Sequence, residues 1–340
     1  MGRLKHASGR WLERDDERVT CLVSEVFVGS GEVENEEGEG VGYGGCLMSQ
    51  EEIELLVCRA LWKMKNGSAS GTNEIDHRLI KAVRDTRLGR ELVQEMVDNL
   101  ARGVILPAWR EISVVFIPKP GRDLTLSKNW QPLNLIICVG KLWKKVVVVR
   151  IQDFGGDIFH RLQFGTVRGR LVVDVLYRSV IRPRECFEDG GSMGWGFWDL
   201  KGRFQNVVVE EVLDCLGGVE GTRGLCRLMK QFVAGRTFEV SWDEKVRGVG
   251  TSSKGVPQGS PVSPVLFLVC MALILREIER RVFEEVPGIG VEFPSDLDDL
   301  HYGLYVRRKS VGGLDAVGRK EWMDLLLDRV SRTIKEVVGE

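Results

Sequence analysis

The spacing of apolar residues along the chain predicts helices and short strands in an irregular order. A helical face begins just after Ser49, which forms a capping box with Glu52, and this pattern ends at Asn66-Gly67. Its apolar positions are Ile53, Leu56, Val57, Ala60, Leu61 and Met64. A second helical pattern follows at about residues 76–102, so two helices are predicted at the start of the folded part.

Strand-like and helical patterns then alternate without a fixed rule. Runs rich in β-branched and aromatic residues predict strands at 112–117 and 194–198 and a hairpin over 237–249. Helices are predicted at 140–152, 207–216 and 263–281. Because there is no regular β-α-β succession, we predict an α+β fold with a small antiparallel sheet packed by helices, rather than a doubly wound sheet.

The first 46 residues are predicted to form a flexible lead. Residues 29–45 are rich in Gly and Glu and carry few large apolar side chains, so they cannot bury enough surface to become ordered. The rest of the chain is apolar enough for a core. Its longest apolar run, residues 265–275, is much shorter than the roughly twenty residues that cross a bilayer, and no signal pattern opens the chain. We therefore expect an intracellular protein, nuclear or cytoplasmic, without a membrane partner.

Charge is unevenly distributed in a chain whose net charge is −1. Residues 31–57 contain eight Glu and neither Lys nor Arg, whereas residues 107–184 contain fourteen Lys and Arg against five Asp and Glu. A basic segment of this kind can follow a phosphate backbone, although it can also be an ordinary solvated surface.

The most informative segment is Gly255-Val256-Pro257-Gln258-Gly259-Ser260-Pro261, which precedes the apolar helix predicted at 263–281. Proline removes amide donors and fixes φ, and glycine allows conformations and close approaches that a β-carbon forbids. Upstream, an apolar strand ends in Asp199, and downstream Asp298 and Asp299 are adjacent. Neighbouring carboxylates repel each other, so they coexist most easily at a hairpin tip or around a cation.

In this order the three segments resemble motifs A, B and C of a reverse transcriptase palm. Further blocks are similar to those of reverse transcriptases from retrotransposons that lack long terminal repeats, and the resemblance covers roughly residues 47–310. These blocks are 68–75, Pro107-Ala108-Trp109-Arg110, Phe116-Ile117-Pro118-Lys119-Pro120-Gly121, Asn129-Trp130-Gln131-Pro132-Leu133, Gly140-Lys141-Leu142 and Gln163-Phe164-Gly165.

The resemblance implies an RNA-directed DNA polymerase whose partners are an RNA template, a DNA primer and deoxynucleoside triphosphates. Asp199, Asp298 and Asp299 would be the catalytic carboxylates. With the carbonyl of Leu200, they would bind two Mg²⁺ ions, for which Mn²⁺ is an alternative. The residues that would contact the nucleotide and the template are Lys119, Phe204, Gln258 and Gly259.

The resemblance also implies a domain order. Residues 47–190 would be mainly fingers, 191–310 the palm, and 311–340 the truncated end of the palm, with the thumb missing. Nothing in the sequence indicates the oligomeric state.

Three positions depart from the family pattern. Gln131 stands where an arginine usually clamps the triphosphate, Asp296 replaces an aromatic residue before the carboxylate pair, and Gln205 replaces a second acidic residue. A decayed element copy that only binds nucleic acid is therefore the alternative function. An intron-encoded splicing cofactor and an α+β domain without a nucleic-acid role are the remaining ones.

Each candidate residue also has a simpler interpretation when it is taken alone. Asp199 could be a helix N-cap, and the Asp298-Asp299 pair a solvated acidic turn. Lys119 could be a turn lysine, and Phe204 an apolar residue that leads into the next helix. The joint occurrence of these residues in one order favours the active-site interpretation.

Overall fold

The computed structural model describes residues 4–5, 8–27, 49–67, 70–71, 73–200, 204–233, 236–242, 245–252, 255–285, 290–292, 295–296, 299–306 and 316–338. The chain divides into two compact units. The first comprises Met1–Asp153 and Phe204–Ser263, and the second comprises Phe154–Arg203 and Pro264–Glu340.

The helices and strands mix in sequence, as an α+β chain requires. The elements up to the middle of the chain are β1 (Leu4–Lys5), β2 (Trp11–Leu12), α1 (Asp15–Phe27), α2 (Gln50–Lys63), α3 (His77–Val83), α4 (Arg87–Arg102), β3 (Ile112–Pro118), β4 (Trp130–Ile136), α5 (Cys138–Asp153), α6 (Gly155–Ile158), α7 (Val172–Glu188) and β5 (Ser192–Asp199). The later ones are α8 (Val209–Gly217), α9 (Arg223–Val233), β6 (Arg236–Trp242), β7 (Lys245–Ser252), α10 (Ser263–Glu285), β8 (Gly290–Glu292), β9 (Ser295–Asp296), β10 (Asp299–Val306) and α11 (Ala316–Val338).

The first unit is built on a sheet with the strand order β4-β3-β6-β7. Strands β3 and β6 are parallel, and the other neighbours are antiparallel. Apolar side chains on alternate positions of β3 face one side, where Ile112, Val114 and Phe116 enter the core together with Phe238 and Val240 of β6. The predicted strand at 112–117 and the predicted hairpin at 237–249 are therefore present.

The prediction of a flexible lead over residues 1–46 is wrong for its first part. Strands β1 and β2 pair with each other, and Leu4, Leu12, Val19 and Leu22 are buried in the same core as β3. Leu4 and Leu12 lie on two-residue strands that are too short to show a period, whereas Val19 and Leu22 are three residues apart on α1. All four are buried against strands that lie much later in the sequence. The Gly- and Glu-rich residues 28–48 lie outside the described part.

The single helical pattern predicted at 76–102 is two helices. The side chain of Asp76 caps α3 by accepting a hydrogen bond from the Leu79 amide, and Thr86 caps α4 by accepting one from the Gly89 amide. A β-carbon on Gly89 would lie 2.1 Å from the Val83 carbonyl oxygen, so the two helices meet too closely for a larger residue. The capping box predicted at Ser49 and Glu52 is present at the start of α2.

The second unit contains a sheet with the order β5-β10-β8, in which β9 also pairs with β10. Helices α7 and α11 both contact β5. A β-carbon on Gly194 of β5 would lie 2.9 Å from a methyl group of Leu327 in α11, so this strand lies directly against the helix. Within residues 311–340, predicted as a truncated end, α11 buries Met323, Leu326, Val330 and Ile334 along one helical face.

No helix in the described part of the chain is both long enough and apolar enough to span a bilayer.

A lysine is completely buried in the first unit. Lys144 of α5 is 0% exposed, and its Nζ atom has no hydrogen-bond partner among the described residues. It lies 4.3 Å from the ring centroid of Phe232. Burial lowers the pKa of Lys144 well below its usual range, and the nearby charges of Arg236 and Lys141 lower it further. Burial therefore favours the neutral form of the Lys144 amine in the folded protein.

Lys144→Met is expected to stabilise the protein. A buried polar group without a partner costs about 1–3 kcal/mol, and methionine has a similar shape without that cost. This cost of an unpaired polar group is present at every pH. The lowered pKa adds a second cost, that of burying or removing the ammonium charge on folding, which is fully present below the folded-state pKa and is lost as the pH rises through the ordinary lysine pKa. The gain in the free energy of unfolding, measured by urea denaturation, should therefore be larger at pH 7 than at pH 10.

The exposed Lys320, changed to Met, is the matched control and should leave the unfolding free energy unchanged at both pH values. If Lys144→Met lowers the free energy of unfolding, the interpretation of Lys144 as a neutral amine without a hydrogen-bond partner is wrong.

Candidate active site

The backbone brings three aspartate positions together at one end of the second unit's sheet. Strand β5 ends at Asp199 and β10 begins at Asp299, and the antiparallel ladder pairs these two residues directly. Strand β9 pairs Asp296 with the same Asp299. Directly opposed residues of an antiparallel pair have α-carbons about 4.5–5.5 Å apart. Positions a hundred residues apart in sequence therefore become neighbours, while Asp298 lies outside the described residues.

Leu200 follows Asp199 immediately, and its side chain is buried. The residue is therefore anchored at the point where β5 ends. Among the side chains that the structure describes, no group of three His, Cys, Asp or Glu residues could hold a metal ion. The side chains of Asp199, Asp296 and Asp299 are not among them.

In the first unit, the segment of residues 255–261, here named the Pro-Gln-Gly loop after Pro257, Gln258 and Gly259, is bonded to strand β4 through Asn134. The carbonyl oxygen of Gln258 accepts a hydrogen bond from the Asn134 amide at 3.2 Å and another from Asn134 Nδ2 at 2.7 Å. Gly259 has φ +100°, and a β-carbon there would lie 2.9 Å from the Asn134 carbonyl oxygen. The glycine is thus required both by its backbone angle and by its contact with β4.

The other end of the loop rests on the turn that begins at Phe204. The Val256 amide donates to the Phe204 carbonyl at 2.8 Å, and a β-carbon on Gly255 would lie 2.5 Å from that oxygen. Buried Arg236 donates from Nη2 to the Gly255 carbonyl at 3.0 Å. Burial lowers the pKa of Arg236 to about 10, so its guanidinium stays charged at neutral pH.

Helix α10 closes the loop from the C-terminal side. The hydroxyl of Ser263, the first residue of this helix, donates to the Pro257 carbonyl at 2.8 Å. The carbonyls of Gly255, Pro257 and Gln258 are therefore all bonded to surrounding side chains. This leaves Gln258 half-buried and Gly259 exposed at the surface of the unit.

Lys119 and Gln131 lie close to the connection between β3 and β4. Lys119 directly follows β3, is exposed, and donates from Nζ to the Lys128 carbonyl at 2.8 Å. Gln131 pairs with Ile117 in the ladder and is also exposed. An ammonium group has three donors, so this one bond leaves Lys119 able to contact an anion.

The predicted site residues therefore fall into two groups. Asp199, Leu200 and Asp299 belong to the second unit, whereas the others that the structure describes belong to the first. These others are Lys119, Phe204, Gln258 and Gly259. The close approach predicted for Gly259 is made by the main chain of Asn134, so a contact with a base remains a prediction.

Sequence reasoning missed Asn134 and Arg236, two of the residues that hold the loop. Asn134 carried a usable signal, because it stands on the same alternating face of β4 as buried Trp130 and is itself a buried polar residue. Such a residue needs a hydrogen-bond partner. Arg236 carried no such signal, since its burial depends on the loop that it binds.

Comparison with known proteins gives a family match over much of this region. The family model described as reverse transcriptase (RNA-dependent DNA polymerase) matches residues 117–306. The matched segment contains Lys119, the Pro-Gln-Gly loop and the Asp199 and Asp298-Asp299 positions.

Individual relatives come from mobile elements. The RNA-directed DNA polymerase from mobile element jockey of Drosophila melanogaster is 27% identical over 222 residues, which are 64% of this chain and 24% of that protein. The Pol polyprotein from the type-1 retrotransposable element R2 of Popillia japonica is 27% identical over 254 residues, 72% of this chain and 32% of that protein. An uncharacterized protein of transposon TX1 from Xenopus laevis is 23% identical over 248 residues, 71% of this chain and 19% of that protein. The chain thus spans about a third or less of the length of these relatives.

Gly259→Ala is expected to destabilise the loop more than the same change at Gly9. Both glycines have positive φ, at +100° and +85°, but a β-carbon on Gly9 meets nothing within 4 Å. Backbone strain should therefore lower the free energy of unfolding of both variants by about 1 kcal/mol or more, as measured by urea denaturation. Only Gly259→Ala should lower it further, because only there does the new β-carbon meet the Asn134 carbonyl oxygen. Equal losses at both positions would contradict the close approach.

Proposed function

Because the chain belongs to the reverse transcriptase (RNA-dependent DNA polymerase) family, we propose that it extends a DNA 3′ end by copying an RNA template. The observation that carries this proposal is the strand register that pairs Asp199 with Asp299. Motif order alone predicts that these positions meet, and a register that separated them would have removed the proposal. In this proposal residues 47–190 act mainly as fingers and 191–310 as the palm.

The carboxylates of Asp199, Asp298 and Asp299 are proposed to hold two divalent cations, with help from the Leu200 carbonyl. Their oxygen atoms are the hard donors that Mg²⁺ or Mn²⁺ prefers, and the juxtaposed backbone positions suit a shared site. Like charges brought this close repel each other unless a cation or a proton neutralises them. When bound, such cations lower the pKa of the attacking hydroxyl and offset the charge that develops on the leaving group.

The residues of the first unit are proposed to bind the substrates. Lys119 would contact the incoming triphosphate as a flexible point charge. Phe204 would pack against the sugar and exclude a 2′-hydroxyl group. Gln258 and Gly259 would contact the template base pair, and the bonds from Asn134 and Arg236 would keep their loop in one conformation before substrate binds.

Separate Asp199→Asn, Asp298→Asn and Asp299→Asn variants test the carboxylates by primer extension on an RNA template. Each change removes one anionic ligand, so Mg²⁺-dependent synthesis should fall at least about a hundredfold because metal stabilisation is worth several kcal/mol. Asp328→Asn, an exposed residue of α11 in the same unit, is the matched control and should retain activity. Full activity of Asp199→Asn would refute the assignment. A folded wild-type chain that incorporates no nucleotide would refute polymerase activity and leave the nucleic-acid-binding alternative.

Gln131→Arg is expected to strengthen nucleotide binding. The position is exposed beside the turn that carries Lys119, and an arginine there would restore a charge-assisted contact with the triphosphate. Such a contact is worth about 1.5–3 kcal/mol, so KM for the deoxynucleotide should fall roughly tenfold or more. Gln131→Lys, which adds the charge without the planar fork, should give a smaller effect. An unchanged KM in both variants would show that this position does not face the triphosphate.

A further inference from the structure

Four lysines from three helices lie on one region of the first unit, and none of them is among the residues proposed for catalysis. This lysine patch consists of Lys63, the last residue of α2, Lys81 of α3, and Lys141 and Lys145, which are one turn apart on α5. Helix α2 packs against both α3 and α5. The Nζ atom of Lys81 donates to the Met64 carbonyl at 2.6 Å and to Asn66 Oδ1 at 2.9 Å, which places this cation over the end of α2.

The lysines are close enough to affect one another. Burial lowers the pKa of Lys145, and the charges of Lys81 and Lys63 lower it further. Beneath them lies buried His77, whose pKa is lowered first by burial and then by the charges of Lys141, Lys145 and Lys81. Lysines from all three helices are therefore close enough to act electrostatically on His77 or Lys145.

Among the residues that the structure describes, no acidic side chain forms a salt bridge with Lys63, Lys81 or Lys145. Asp76 is already bonded to the guanidinium of Arg78 and to the Leu79 amide. Glu51 and Glu52 lie in the first turn of α2, about 18 Å along the helix axis from Lys63. The patch is therefore a local concentration of positive charge in a chain of almost zero net charge.

An exposed aromatic ring borders the patch. Trp62, next to Lys63, is 70% exposed, and the guanidinium carbon of Arg84 lies 5.8 Å from its ring centroid. Cations follow the phosphates of a single strand, and an exposed ring offers a surface on which an unpaired base stacks. An acidic peptide would use the lysines but would not require the indole.

We propose that the lysine patch binds the phosphate backbone of single-stranded nucleic acid while Trp62 stacks on one of its bases. This binding site is additional to the proposed catalytic site and uses helices α2, α3 and α5. It would hold the strand through contacts that do not depend on base sequence, because phosphates and π faces are common to all nucleotides.

The test is fluorescence anisotropy of the whole chain with a labelled single-stranded RNA of about sixteen nucleotides, in EDTA and without nucleotides. These conditions exclude synthesis, so the result does not depend on whether the chain polymerises. In the Lys63→Gln, Lys145→Gln double variant, the slope of log K against log salt concentration should become shallower by about 1.4, since each phosphate contact contributes about 0.7. The matched control, Lys230→Gln with Lys320→Gln, replaces two exposed lysines elsewhere and should keep the wild-type slope.

Trp62→Ala should weaken RNA binding about tenfold while leaving the salt slope unchanged, and Trp62→Phe should restore most of the affinity. Circular dichroism should show that all variants are folded. The proposal would be overturned if the Lys63→Gln, Lys145→Gln variant showed the same salt dependence of RNA binding as the control variant. Equal competition by polyglutamate, together with an unaffected Trp62→Ala variant, would also overturn it in favour of an acidic protein partner.

Discussion

The hydrogen bonds between Asn134 and the Gln258 carbonyl are the constraint that holds the candidate substrate loop in place. Prolines prevent this loop from joining a helix or a sheet, so its carbonyls need other donors. Asn134, Arg236 and Ser263 supply them from a strand, a second strand and the start of a helix. The loop is therefore shaped by three distant parts of the chain and not by its own sequence alone.

A second constraint operates in the other unit, where the ladder between β5 and β10 determines which residues meet. A one-residue slip would place Asp199 opposite a neighbour of Asp299 and turn the paired positions to opposite faces. The contact between Gly194 and α11 presses the helix against β5. Packing of this helix thus supports the strand that ends in the first candidate carboxylate, which gives α11 a structural role in the proposed site.

Helix α5 contains three lysines that lie in different environments although they are close in sequence. Lys141 and Lys145 are four residues apart and lie on the same helical face, within the lysine patch. Lys144 points elsewhere, into an apolar region near Phe232, where its amine is costly to charge. Residues of identical type therefore differ in exposure, because the neighbours Lys144 and Lys145 are turned about 100° from each other around the helix axis.

The sequence by itself determined the elements whose signals are local and the membership of the family. Capping at Ser49, the strand at 112–117, the hairpin near 237–249 and the long helix after residue 263 follow from periodicity, caps and turn residues within a few positions. Motif order also predicts the roles of the three aspartates, and that assignment stays a prediction.

Tertiary structure alone decided which distant residues meet. It brought Leu4, Leu12, Val19 and Leu22 into the core beside strands far along the chain, and it made Asn134 and Arg236 the supports of the loop. Burial and long-range hydrogen bonding depend on the position of every neighbour in space, and no short stretch of sequence contains that information.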